Sequence, residues 1–141
     1  GVVVEEHEDT LLVRRTDPLH KTNIKTLPYP GFPTDMQPQI TTVLSLAQGI
    51  SLVTESVWGN RYRYVDELRR MGASGAPVQA SDLRAGAALV IAALAAHGES
   101  EISCVHYIER GYENIVAKLQ ALGADIRAVE FPDEGEELGI G

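Results

Sequence analysis

Features repeat along this chain at a separation of about fifty residues, and that doubling limits it to folds built from two copies of one strand–helix unit. Each copy opens a helix on an aspartate, Asp35 or Asp82, and reaches a glycine, Gly49 or Gly98. A strand-like run follows, Ser51 to Trp58 or Glu101 to Tyr107, and then an arginine, Arg61 or Arg110. An amphipathic helix closes each copy on Met71-Gly72-Ala73 or Leu122-Gly123-Ala124. The apolar spacing marks the helical faces: Met36, Ile40, Val43, Leu44 and Ala47 in one opening helix, and Leu83, Ala87, Val90, Ile91 and Leu94 in the other. The closing helices read Tyr64, Val65, Leu68, Met71 and Ile115, Val116, Leu119, Leu122.

Upstream of the first aspartate, Pro28, Pro30, Gly31 and Pro33 interrupt the chain. Proline fixes φ and pushes the preceding residue toward extended geometry, so 27–33 is expected to run as a stiff, extended, non-helical segment. Pro38 is tolerated only in an opening turn, so the helix begins no earlier than about Thr34 or Asp35. This places the Asp35 carboxylate at a helix start, beside unpaired N–H groups and the positive end of the dipole. Two roles fit it there: an N-cap, or an ionised group that accepts or aligns a hydroxyl proton.

Val2 to Glu6 and Leu11 to Arg15 flank Glu8-Asp9-Thr10 as a hairpin, Thr22 to Thr26 adds a short strand, and Asp125 to Phe131 reads as a last strand. Strands alternating with amphipathic helices indicate an α/β or α+β layered domain. One domain over 1–132 is expected, with pseudo-repeats at about 27–73 and 75–131 and an acidic, flexible tail over 133–141. A chain of 141 residues buries roughly two-thirds of its unfolded surface, enough for a core.

Twenty acidic side chains against 12 basic give a net charge of −8, which argues against wholesale nucleic-acid binding. Arginines isolated among acids suit a small anionic ligand better. No run reaches the length of a membrane span and the first residues lack a basic signal region, so a soluble cytoplasmic protein without a membrane partner is the expectation. The single cysteine, Cys104, alternates with Ile102 and His106 and reads as a buried structural thiol in a strand. His7, His20, His97 and His106 show no metal-ligand spacing, so neither a metal nor a cofactor is expected.

The strings Lys25 to Gln37, Thr54-Glu55, Asn60-Arg61, Glu67-Leu68, Asp82 to Leu89 and Arg110-Gly111-Tyr112-Glu113, in that order, closely resemble the UDP-N-acetylglucosamine enolpyruvyl transferase family of peptidoglycan synthesis. The resemblance runs to about Val129. It implies part of the C-terminal domain of an inside-out α/β barrel whose pseudo-repeats put helices in the core and sheets outside. It also implies phosphoenolpyruvate and UDP-N-acetylglucosamine as substrates, and a missing N-terminal domain of the same enzyme as partner.

By that resemblance Arg84 and Arg110 are phosphoenolpyruvate or other active-site contacts, Arg61 joins their cluster, Asp82 helps orient the cluster and the reacting groups, and Val57 touches the nucleotide sugar through its backbone. Asp35, Asp82, Arg84 and Arg110 are thus the candidate catalytic set; Asp35, Val57, Arg61, Arg84 and Arg110 are the candidate substrate contacts. Arginine suits this chemistry because its planar fork meets a carboxylate or phosphate with paired hydrogen bonds. Asp35, Arg84 and Arg110 are expected to lie open to solvent at one end of the domain. Asp35 and Asp82 are expected to occupy equivalent places in superposable units.

The chain departs from the family in having no counterpart of its N-terminal lysine or of the loop cysteine that serves as general acid. Only Ser74 separates Ala73 from Gly75 where the family has a longer hairpin, and Gly59 stands where it usually has Glu. The chain alone is therefore expected to be inactive. A non-catalytic, trimmed domain of the same enzyme is the alternative reading.

Overall fold

The computed structural model describes residues 2–72 and 74–130. The described chain divides into two compact units, one ending at Gly111 and the other beginning at Tyr112.

The first unit opens with an antiparallel hairpin, β1 (Val2–His7) and β2 (Thr10–Arg15), in which Val4 faces Val13. An ion pair between Glu5 and Arg14 crosses it. Two parallel strand pairs follow. In the first, β3 (Ile24–Lys25) is joined to β4 (Val53–Thr54) through helix α1 (Gln37–Ser45). In the second, β5 (Pro77–Gln79) is joined to β6 (Glu101–Ser103) through helix α3 (Leu83–Ala95). Helix α2 (Tyr64–Met71) lies between the two in sequence and the short α4 (His106–Glu109) ends the unit.

The inferred repeat is visible in this topology. Parallel bridges pair His20 with Gln48 and Ser74 with His97, each just before the helix-terminating glycine. Gly49 and Gly98 then adopt φ of 98° and 87°, a left-handed conformation open to glycine and strained for other residues. The opening strand of the first copy, β3, lies upstream of residue 27.

Helix α3 is the core. Ala85, Gly86, Ala87, Ala88, Leu89 and Val90 are all buried, so over 85–90 it is enclosed on every side instead of showing one apolar stripe, while Leu94, expected on the core face, is exposed near its end. Leu89 is fully buried with Met71 and Val78, while Tyr64 packs on Ala85 and Ala88. Small residues let neighbours approach closely: a methyl at Gly86 would overlap Ile108 of α4. The closing-helix face Tyr64–Val65–Leu68–Met71 packs as its spacing indicates.

Helix α1 differs from its expected face. Met36 is half exposed, and the buried side carries Gln37, Pro38, Gln39, Thr42 and Leu44. Thr42 is accommodated there because it turns its hydroxyl onto the Pro38 carbonyl at 3.2 Å, whereas the side-chain carbonyl oxygen of Gln37 is buried without a hydrogen-bond donor among the described residues.

Other expectations are corrected. The segment 27–33 is not extended: the Leu27 N–H donates to the Phe32 carbonyl at 3.0 Å and the Gly31 N–H to Pro28 at 2.9 Å, closing it into a loop with a cis Tyr29–Pro30 peptide. The strand expected over 51–58 is only two residues long. The strand expected through Tyr107 stops at Ser103, because Cys104 takes φ of 59° and turns the chain into α4. Cys104 is therefore a partly exposed turn residue, and His106 belongs to a helix.

The second unit holds α5 (Ile115–Ala121), with Ile115, Val116 and Leu119 half-buried and Leu122 exposed. Residues 125–130 form no strand; Gln120 Nε2 instead donates to the Ile126 carbonyl at 2.8 Å. Phe131 and the expected tail over 133–141 lie outside the described residues. Among the described residues no helix is long and apolar enough to cross a membrane.

Candidate active site

The proline loop ends in a single 3-10 turn, Thr34–Met36, that leads into α1. The turn carries Asp35 at the expected start of the helix, yet Asp35 does not cap it: the N-cap of α1 is Met36, with no side-chain hydrogen bond. The Asp35 carboxylate faces two arginines instead. Arg84 Nε lies 2.7 Å from Asp35 Oδ1, and Arg61 Nη2 lies 3.4 Å from the same oxygen.

Asp82 does cap its helix. Its Oδ1 accepts from the N–H groups of Arg84 and Ala85, both at 2.9 Å. The two aspartates thus both lie near a helix start but not at equivalent places, contrary to expectation: Asp82 is the N-cap of α3, whereas Asp35 sits within the 3-10 turn that precedes the Met36 N-cap of α1. Asp82 fixes the first turn of α3, and that turn carries Arg84 to Asp35. Capping of this kind stabilises a helix by about 1 kcal/mol.

The hydrogen bond from Arg84, reinforced by the positive charge of Arg84 and of Arg61, holds the Asp35 carboxyl below its ordinary range against the opposing effect of burial. Asp35 is 59% exposed, Arg84 34% and Arg61 18%. An ionised carboxylate therefore stands open to solvent on a partly sheltered pair of guanidinium groups. Arg61, Arg84 and Asp82 also line a cleft of about 280 Å³, together with Trp58, Asn60 and Tyr64.

Glu55 forms the other organised feature, and sequence reasoning assigned it no role. Its Oε1 accepts from Thr26 Oγ1 at 2.8 Å and from the N–H groups of Val57 at 2.8 Å and Trp58 at 3.1 Å. Its Oε2 accepts from Thr34 Oγ1 at 2.8 Å. Burial pushes the Glu55 carboxyl up, but the hydrogen bonds from Thr26, Val57, Thr34 and Trp58 outweigh it and hold the group below its ordinary range. The Val57 N–H is thereby engaged within the chain. Tyr62 adds a brace, its hydroxyl accepting from the Glu55 N–H and donating to the Val53 carbonyl.

Arg110 is exposed, with its guanidinium 5.8 Å from the centre of the Tyr107 ring, and it is not among the residues lining the Arg61–Arg84 cleft. The structure thus brings together Asp35, Arg61, Arg84 and Asp82, with Trp58 beside the two arginines in the cleft, and gives Arg110 no contact with this group among the described interactions. A Cβ at Gly59 would meet nothing within 4 Å.

The family model of EPSP synthase (3-phosphoshikimate 1-carboxyvinyltransferase) matches residues 1–119. The chain is similar to UDP-N-acetylglucosamine 1-carboxyvinyltransferase 3 of Caldanaerobacter subterraneus subsp. tengcongensis, 52% identical over 89% of this chain and 34% of that protein. It is also similar to UDP-N-acetylglucosamine 1-carboxyvinyltransferase of Halothermothrix orenii, 48% identical over 92% of this chain and 35% of that protein. Among solved structures it resembles the enolpyruvyl transferase NikO from Streptomyces tendae, with a TM-score of 0.81 and 31% identity over 90% of this chain and 34% of that one. The chain spans about a third of the length of these relatives.

Proposed function

The chain belongs to the EPSP synthase family, and from that premise we propose that it carries the C-terminal part of the active site of an enzyme transferring the enolpyruvyl group of phosphoenolpyruvate to UDP-N-acetylglucosamine. The identity to relatives named for that reaction supports the choice of acceptor. We place the reaction in cytoplasmic peptidoglycan synthesis, and with it in cell-wall formation, cell shape and division. The rest of the site would come from an N-terminal domain, which supplies the general acid that this chain lacks.

The observation that carries this reading is the ionised, solvent-open Asp35 paired with Arg84 and Arg61, the two arginines that line the cleft. Transfer of the enolpyruvyl group needs a proton acceptor on the sugar hydroxyl, an acid at the methylene carbon, and cations near the phosphate and carboxylate. Asp35 supplies the acceptor. The arginines that keep it ionised also weaken it as a base, so it first orients the hydroxyl and takes the proton only as the new carbon–oxygen bond makes that hydroxyl acidic. Arg84 and Arg61 provide positive charge beside the reacting groups, and Arg110 contributes once substrate and the other domain complete the site. Asp82 positions Arg84 through the α3 cap.

The test is phosphate release from phosphoenolpyruvate in the presence of UDP-N-acetylglucosamine by the natural gene product containing this sequence. Release that depends on Asp35 supports the reading; release unchanged in Asp35→Ala contradicts it. The 141-residue chain by itself is expected to release none.

A further inference from the structure

The strand pairs of the two copies of the repeat share one hydrogen-bonding register. Lys25 pairs with Thr54 as Gln79 pairs with Ser103, and the next N–H in each copy bonds the partner strand: Thr26 to the Thr54 carbonyl at 2.9 Å, Ala80 to the Ser103 carbonyl at 3.1 Å. By this register Thr26 corresponds to Ala80 and Glu55 to Cys104. The second copy leaves its strand pair without a carboxylate or a hydroxyl at these positions, so the shared topology does not require them.

Only the first copy has the acidic knot, and only there does the chain continue into the loop that carries Trp58 to the cleft. Both carboxylate oxygens are used. One holds the Val57 and Trp58 N–H groups and the buried Thr26 hydroxyl; the other holds the Thr34 hydroxyl, next to Asp35 in the same turn. Thr26 also accepts from the Ser56 N–H at 2.9 Å, and the Ser56 hydroxyl donates back to the Thr26 carbonyl. A loop with no strand partner of its own is thus held by one side chain to the turn that presents Asp35.

We propose that Glu55 is a positioning residue for the transfer site: its carboxylate sets the spacing between the Thr34–Asp35 turn and the Val57–Trp58 loop, and so the spacing at which a nucleotide sugar lying along that loop meets Asp35. This rests on the reading of Asp35 as the group that meets the acceptor hydroxyl. Glu55 itself touches no reacting atom. A carboxylate is suited to the task because it accepts from several donors at once, and hydrogen bonds to a charged group are the stronger class.

Thr34→Val tests the link with little change of shape, removing the hydroxyl that joins the knot to the Asp35 turn. It is compared with Glu55→Ala and Glu55→Gln in the 141-residue chain by NMR, reading amide exchange at Val57 and Trp58, titration of the Asp35 carboxyl, and perturbation by UDP-N-acetylglucosamine. In Thr34→Val the Asp35 titration is expected to move up toward the ordinary carboxylate range and nucleotide-sugar affinity to fall roughly tenfold, with amide protection at Val57 and Trp58 kept. Glu55→Ala is expected to lose that protection as well, by about tenfold or more, whereas Glu55→Gln keeps an acceptor oxygen and restores most of it.

Failures of the two ideas separate. If UDP-N-acetylglucosamine does not perturb Asp35 in the unsubstituted chain, the reading of Asp35 falls and the proposal with it. If it does, and Thr34→Val leaves both Asp35 titration and affinity unchanged, the positioning role of Glu55 alone is overturned. Thr34→Val decides the matter even if Glu55→Ala does not fold.

Discussion

Arg84 Nε lies 2.7 Å from Asp35 Oδ1, so the helix start of one copy of the repeat neutralises the helix start of the other. The pairing is possible because Asp82 holds the first turn of α3 while the Asp35 turn leaves its own carboxylate uncommitted to the backbone. From this division of labour follow distinct consequences for the members of the site.

Asp35→Asn is expected to change stability little, by less than about 1 kcal/mol, because the side chain is more than half exposed and surface ion pairs contribute weakly. In the natural gene product the same change is expected to lower turnover by about two to four orders of magnitude, the usual range for loss of a proton-transfer group. Chemical denaturation and phosphate release measured on the same variant check both halves.

For Arg84, the two substitutions Arg84→Lys and Asp82→Ala separate its parts. Lysine has no Nε–H fork, so Arg84→Lys is expected to raise the Asp35 titration without loosening α3. Asp82→Ala removes the cap and is expected to cost about 0.5–2 kcal/mol of stability. NMR titration of Asp35 and urea unfolding distinguish them.

Leu89→Ala is expected to destabilise the chain by about 2–5 kcal/mol, since it empties the centre of the core. Gly86→Ala forces a methyl onto Ile108 and is expected to cost about 1–3 kcal/mol. Thermal unfolding of both variants, against an exposed control such as Leu122→Ala, checks the placement of α3.

Acid is expected to weaken the fold through Asp35 and Glu55. Both carboxyls are held below their ordinary values of 3.8 and 4.5, so the stability they supply is fully present above those values and is lost as pH falls through the lower folded-state ones. Urea midpoints should be flat from neutral pH to about 5 and then fall. The fall is expected to be shallower in Glu55→Gln, whose amide does not titrate.

Much of this site was legible before any coordinates. Pro28, Pro30, Pro33 and Pro38 place Asp35 at a helix start, and the Asp82-Leu83-Arg84 string announces a capped helix. What each aspartate does was not legible, because the Asp35–Arg84 pair depends on how α1 and α3 pack and joins residues far apart in the chain. The buried polar side of α1 was missed for a similar reason. Apolar spacing assumes that the core side is apolar, whereas Thr42 satisfies itself on Pro38 and can be buried. Cys104 was misplaced because period-two alternation from Ile102 to His106 mimics a strand across what is a turn at positive φ. Glu55 carried no local signal: its partners Thr26 and Thr34 meet it only once β3 and β4 pair in register.

The central claim is that Asp35, Arg61 and Arg84 form an anion- and sugar-binding site within this chain. It is tested most directly by mapping backbone and side-chain NMR shifts of the 141-residue chain during titration with phosphoenolpyruvate and UDP-N-acetylglucosamine, at low and high salt. Weak binding is expected, with changes concentrated at Asp35, Arg61, Arg84 and the Val57–Trp58 loop, diminished by salt and lost in Arg84→Ala. Changes centred elsewhere, or unaltered in Arg84→Ala, would contradict the account.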